Sequence, residues 1–265
     1  MIDFKQKNLI TIKIGSNILT NNAHQLDLNS LRRLVDQVSF LKKQGKKVII
    51  VTSGAIVCGA EALGIIPKSI EEKQAAAAVG QVILMESYQQ FFVRQGIKIA
   101  QILLTKDGLT NKSRATLAKN TIEKLLEIDV VPIVNENDTV SVDEIKFSDN
   151  DHLSSMVSIL LNVDLQIFLT DTDGFYDKDP RVHQDAKIIH SLNDITDNVI
   201  DSISDNKTTK GTGGMKSKVK SAKFLLDNNI ESIIANGSQE NIIIDLFNGK
   251  KYGTVCKKGV NNVGC

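Results

Sequence analysis

The segment Lys210-Gly211-Thr212-Gly213-Gly214-Met215-Lys216-Ser217-Lys218 carries the strongest chemical signal in the sequence. Glycines let a backbone come close to a phosphate, and the free amides at a helix start supply donors and a favourable dipole. Lys216 and Lys218 add mobile positive charge. The spacing is not that of a Walker loop. Nor is it the dinucleotide Gly-x-Gly-x-x-Gly pattern, because Lys216 stands where the last glycine belongs. A flexible basic loop without a ligand is the simpler alternative for this segment taken alone.

Other polar clusters have the same double reading. Lys13 lies inside an apolar run, Leu9–Ile14, where a lysine is rarely buried without a partner, so an anion near the run's end is a natural explanation. Gly15 and Gly54 suit close approach to phosphate, yet each also fits a tight strand-to-helix turn. Asp149 or Asn150 can cap a helix, but a cap does not explain the whole run Ser148-Asp149-Asn150-Asp151. Asp171-Thr172-Asp173-Gly174 resembles a turn. Histidines and cysteines offer no rival chemistry: there is no His-Glu-x-x-His spacing, no CxxC, and Ser53 lacks the Gly-x-Ser-x-Gly elbow.

Positioning these clusters requires elements that end beside them. Strand-like runs fall at Leu9–Ile14, Val48–Thr52, Ile97–Leu104, Val130–Val134, Leu165–Thr170 and Ser232–Ala235. Most are nearly continuous in apolar residues, as in strands covered on both faces. Amphipathic segments alternate with them, one through Leu28, Leu31, Leu34, Val35, Val38 and Leu41 before Gly45, others through Leu153–Leu161 and Met215–Leu226. This order predicts an α/β fold with an open, mainly parallel central sheet and helices on both faces. Ligands of such sheets gather at the carboxyl ends of the strands, which is where the polar clusters fall. Val140–Phe147 reads as a short inserted hairpin, and Ala75–Ala78 as a close-packed helix segment.

The 265 residues are 42% hydrophobic and 24% charged, enough apolar sequence for a substantial core. Lys and Arg number 32 against 31 Asp and Glu, which gives no reason to expect nucleic acid or an anionic membrane as partner. The 3 scattered cysteines suit a reducing cytoplasm. Neither a signal peptide nor an apolar run long enough to span a bilayer is visible. We read residues 1–256 as one domain with two lobes, meeting near residue 160, and 257–265 as a tail.

Taken in order, Ile12-Lys13-Ile14-Gly15-Ser16, Val51-Thr52-Ser53-Gly54-Ala55, Asn135-Glu136-Asn137-Asp138, Asp149-Asn150-Asp151, Thr170-Asp171 and Gly211-Thr212-Gly213-Gly214-Met215 resemble the amino-acid kinase family. The likeness runs from about Leu9 to about Val255 and extends to Asp173-Gly174-Phe175-Tyr176 and Asp179-Pro180-Arg181. Val-Thr-Ser-Gly-Ala-Ile, Asn-Glu-Asn-Asp and Gly-Thr-Gly-Gly-Met point within it to enzymes that phosphorylate the side-chain carboxylate of L-glutamate, at the start of proline synthesis. Many of those continue into a PUA domain, which the resemblance does not find here.

The resemblance implies ATP as co-substrate, with Mg2+ bound on the nucleotide. It places Lys13 and Lys218 on the transferring phosphoryl and Asp151 between them as the group that orients both. Amides near Gly15, Gly54, Gly213 and Gly214 would support the phosphates. Ser53, Gly54, Asp138 and Asn150 match glutamate-binding positions, with Asp138 facing the substrate's ammonium. Lys13, Gly15, Thr170, Asp171, Thr212, Gly213, Gly214, Met215, Lys216, Ser217 and Lys218 match ATP-binding positions. Feedback inhibition by proline and a homo-oligomer are further implications. The attacking carboxylate is already ionised at neutral pH, with a reference pKa of about 4.3, so no general base is needed. Acceptors such as acetylglutamate, carbamate or a nucleoside monophosphate are the nearest alternatives, and a non-catalytic sensor on the same fold is the alternative of another class.

Overall fold

The computed structural model describes residues 2–21, 25–141, 150–180, 182–193, 195–196, 199–200, 203 and 214–258. Its strands are β1 (Leu9–Ile14), β2 (Lys47–Val51), β3 (Ile99–Leu104), β4 (Val131–Glu136), β5 (Leu165–Thr170), β6 (Ser191–Leu192), β7 (Glu231–Asn236) and β8 (Thr254–Cys256). They form one sheet in the order β3-β4-β2-β1-β5-β7-β8-β6. Every pairing is parallel except that of β7 with β8. The expected strands all appear, two with the same ends and four with ends shifted by one or two residues. β6 and β8 were not anticipated, since two or three residues are too few to show a period.

The helices relevant to the site are α1 (Ser16–Leu19), α2 (Leu28–Lys43), α3 (Ala55–Leu63), α4 (Ile70–Arg94), α5 (Lys106–Thr110), α6 (Lys112–Glu127), α7 (Asn150–Leu161), α8 (Met215–Asp227) and α9 (Ile242–Phe247). Two cores sandwich the sheet. Ile10, Ile12 and Ile14 of β1 pack with Leu31, Val38, Leu84, Phe92 and Leu246 from α2, α4 and α9. Ile49, Val51 and Phe168 pack on the opposite face with Ile122, Leu153, Val157, Val219 and Leu225 from α6, α7 and α8. Alternation along β1 therefore sends Thr11 and Lys13 to the α7–α8 face. α2 stops as the sequence suggests: the Gly45 amide bonds the Lys42 carbonyl at 2.9 Å in a left-handed turn, φ 75°. Leu28, grouped with its apolar stripe, is instead half exposed at the first turn.

α3 and α4 touch backbone to backbone. A Cβ at Gly59 would lie 1.7 Å from the Ala76 carbonyl oxygen, and one at Gly80 would lie 1.8 Å from that of Ala55. Buried Ala76 and Ala77 agree with the close packing read from the alanine run. α7 is fastened to the sheet by a buried polar chain. Ser158 Oγ donates to Gln166 Oε1 at 2.6 Å, Gln166 Nε2 donates to Ser154 Oγ at 2.6 Å, and Ser154 Oγ reaches the Asp151 carbonyl at 2.7 Å. The hairpin expected at Val140–Phe147 falls mainly outside the described residues.

Candidate active site

The connections leaving β1 and β5 run in opposite directions across the sheet, so a crevice opens between their carboxyl ends. Gly15 follows β1 there, its amide 3.2 Å from the Leu169 carbonyl of β5. A Cβ on Gly15 would meet that carbonyl oxygen at 3.3 Å, so the small residue keeps the two strand ends close. Thr170 and Asp171 form the other wall. Asn17, in the first turn of α1, donates its amide to Asp171 Oδ2 at 2.7 Å, and the Thr170 hydroxyl reaches Asp171 Oδ1 at 3.2 Å.

Below this wall lies a buried charge triad. Lys13 Nζ sits 2.5 Å from Asp151 Oδ1, and Lys218 Nζ sits 3.1 Å from Asp151 Oδ2. Lys13 is 4% exposed, Lys218 3% and Asp151 0%. Three distant segments supply them: β1, the first turn of α7 and the first turn of α8. Burial alone would raise the Asp151 pKa, but the two lysines and their hydrogen bonds outweigh it and hold the carboxyl below the usual range. Two lysines about one carboxylate leave this group with an excess positive charge, the complement of a phosphate chain.

The neighbouring residue begins a second, neutral network. Asn150 Nδ2 is 2.6 Å from the Thr52 carbonyl, 3.0 Å from Ser53 Oγ and 2.9 Å from Asn135 Oδ1. Asn135 in turn donates to Gln81 Oε1 of α4 at 2.9 Å. Gly54 takes a left-handed conformation, φ 106°, and starts α3. Buried Tyr88 and Thr52 share a hydroxyl contact of 2.9 Å that ties the end of β2 to α4. Glu136, the last residue of β4, and Asp138, two residues beyond it, are both buried. Desolvation, reinforced by Asp138, pushes the Glu136 pKa up to about 7, and desolvation pushes Asp138 to about 6.

Lys13, Asp151 and Lys218 thus meet directly, and Asn150 joins Ser53 beside them. Gly214 caps α8, with Met215, Lys216 and Ser217 in its first turn. Thr212 and Gly213 lie outside the described residues, as does Asp149. The site also brings in Asn17, Gln81, Asn135 and Glu136, to which the sequence by itself assigns no role. Gln81 follows a run of Ala, Val and Gly, where a polar side chain on a packed helix face was the available signal. Among the described residues no group of three or more His, Cys, Asp and Glu side chains is arranged to hold a metal ion. No described helix is long and apolar enough to cross a membrane.

The amino acid kinase family pattern matches residues 8–236, from the start of β1 through the end of β7. The chain belongs to the amino acid kinase family. A family member from Geobacter metallireducens named glutamate 5-kinase is 45% identical over 253 residues, which span 95% of this chain and 68% of that protein. Another of the same name, from Clostridium perfringens, is 42% identical over 263 residues, 96% of this chain and 98% of its own. The UMP kinase structure from Ureaplasma parvum covers 96% of this chain and 100% of its own with a TM-score of 0.66. At 18% identity, that likeness speaks for the amino acid kinase fold alone.

Proposed function

We propose that this chain transfers the γ-phosphoryl group of ATP to the side-chain carboxylate of L-glutamate, giving L-glutamyl 5-phosphate and ADP for proline synthesis. The buried Lys13–Asp151–Lys218 triad at the switch-point crevice carries the reading. The names of the two relatives supply the acceptor.

A glutamate carboxylate oxygen attacks the γ-phosphorus in line while the bond to the β-bridging oxygen breaks, and ADP leaves. Because the attacking group is already an anion, the protein's task is positioning and charge stabilisation. Lys13 and Lys218 approach the transferring phosphoryl from β1 and α8, where negative charge spreads over its oxygens. Asp151 fixes both ammonium groups in place before substrate arrives, which removes reorganisation from the barrier. The α8 N-terminus beside Gly214 and the strand end at Gly15 face the nucleotide phosphates. Met215, Lys216, Ser217, Thr170 and Asp171 belong to the same nucleotide side, and Ser53, Gly54, Asn150 and Asp138 to the acceptor side. Magnesium, brought in with the nucleotide, would supply neutralisation of phosphate charge and need few protein ligands.

Inhibition by proline, a homo-oligomeric state and a cytoplasmic location belong to the same reading. Free, buried Cys58 and Cys256 are compatible with a reducing compartment.

The decisive assay measures ADP release from MgATP with L-glutamate, N-acetylglutamate, aspartate, carbamate or UMP as acceptor, with hydroxylamine to trap an acyl phosphate. Glutamate-dependent ADP release with hydroxamate is the expected result. Turnover only with another acceptor would replace the substrate and keep the phosphoryl-transfer site.

A further inference from the structure

Three buried acceptor oxygens around the end of β4 have no hydrogen-bond partner among the described residues: Glu136 Oε2, Asp138 Oδ1 and Asn150 Oδ1. Their residues are 5%, 8% and 5% exposed, so water does not readily satisfy them. They belong to one neighbourhood. The Glu136 amide and Asn150 Nδ2 both bond Asn135 Oδ1, each at 2.9 Å, and Asp138 acts electrostatically on Glu136. A buried acceptor left unpaired costs about 1–3 kcal/mol, more for a charged group, so three in one place call for a ligand rich in donors. A primary ammonium has three N–H donors and one positive charge, which matches three acceptors that include two carboxylates.

Resting on the glutamate reading above, we propose that Glu136 is a specificity-determining residue, the second carboxylate of a subsite that selects acceptors with a free α-ammonium group. Asp138 alone would neutralise the ammonium charge; Glu136 makes the pocket intolerant of acceptors that cannot supply that charge. An N-acylated glutamate brings one N–H and no charge, so it leaves buried carboxylate oxygens unpaired. Sites of this kind reject the deficient analogue strongly, because the unpaired groups stay in the protein.

The same arrangement ties acceptor binding to a proton. Burial and Asp138 disfavour the Glu136 anion, Asp107 of α5 adds to this, and Lys106 of α5 and the Ser141 hydroxyl oppose it. In the empty pocket near neutral pH, Glu136 therefore carries a proton part of the time. The incoming ammonium favours the doubly ionised pair, and the displaced proton passes to solvent. Glutamate affinity should then rise with pH up to about 7 and level off above it.

The test compares KM for L-glutamate and for ATP at pH 6 and pH 8 in the parent chain and its Glu136→Gln variant. Gln keeps the shape and removes the charge. KM for glutamate should be raised roughly tenfold or more in the variant at pH 8 and much less at pH 6, where the parent residue is itself largely neutral. KM for ATP should move far less at either pH. Discrimination between L-glutamate and N-acetylglutamate should narrow by at least tenfold at pH 8. A pH-independent increase, or equal changes for both substrates, would overturn the assignment by showing a structural role. If Glu136→Gln does not fold, Glu136→Asp and the parent's own pH profile decide it: a flat glutamate KM between pH 6 and pH 8 in the parent rejects the proposal. Failure of the parent to use glutamate at any pH would strike the function reading itself, whereas normal glutamate turnover with an indifferent variant would strike only Glu136.

Discussion

Lys218 has the most exposed role in the proposed chemistry, because its ammonium group is held ready by Asp151 at 3.1 Å. Replacing a preorganised donor of this kind costs about 10^2–10^3-fold in kcat, and a full positive charge lies at or beyond the upper end. Lys218→Ala should therefore lose at least that much turnover, measured by ADP release, while its circular dichroism stays that of the parent. Near-normal turnover would remove the assigned role. The carboxylates differ in how their pKa values bear on stability. The Asp151 pKa is lowered on folding, so its contribution is present above the unfolded value of about 3.9 and is lost as pH falls through the lower folded value. Glu136 and Asp138 have the opposite sign. Their folded values, about 7 and about 6, exceed the unfolded ones, so the native state holds more protons and stability falls as pH rises from about 4 to about 7. Urea unfolding of the parent against a Glu136→Gln, Asp138→Asn double variant should show that fall in the parent and a weaker one in the variant. Parallel curves would mean that these groups are not desolvated as described.

Contact between helices decides how well the acceptor loop is held. α3 starts at Gly54, directly after Ser53, and lies on α4 through Gly59 and Gly80 with no room for a methyl group between backbones. Gly80→Ala would place its Cβ 1.8 Å from the Ala55 carbonyl, so the helices must separate. Overpacking against backbone should cost at or above the usual ~1–3 kcal/mol. Because Ala55 is the first residue of α3, the displacement should carry Gly54 and Ser53 with it. We expect a lowered melting temperature and a raised KM for glutamate in Gly80→Ala, with KM for ATP less affected. A variant as stable as the parent would show that the two helices are not packed backbone to backbone.

Across the whole sheet, the proposed nucleotide side lies at β1, β5 and α8, and the acceptor side at β2, β4 and the start of α3. Asn150 and Asp151 are adjacent in sequence and serve one side each. Ligands that bind only the native state stabilise it by about 2.7 kcal/mol at a hundred times Kd. Glutamate and MgADP should thus each raise the melting temperature alone. Asp138→Ala should suppress the shift from glutamate and keep that from MgADP; loss of both would mean that the acceptor site is misplaced.

Nearly continuous apolar runs and the helical periods were written locally, and they determined the six longer strands, the main amphipathic helices and the polar residues at strand ends. Strong local patterns survive folding because burial on two faces of a sheet demands them. Which loops meet was not written that way. Lys13, Asp151 and Lys218 stand on separate elements, and only the sheet order, with the facing of β1 toward α7, brings two ammonium groups to one carboxylate. The family resemblance anticipated that meeting; local periodicity did not. Gln81 and Glu136 needed the structure for a related reason. A polar residue near an apolar run is common, and its meaning depends on whether the folded chain leaves its polar atoms in water or closes over them.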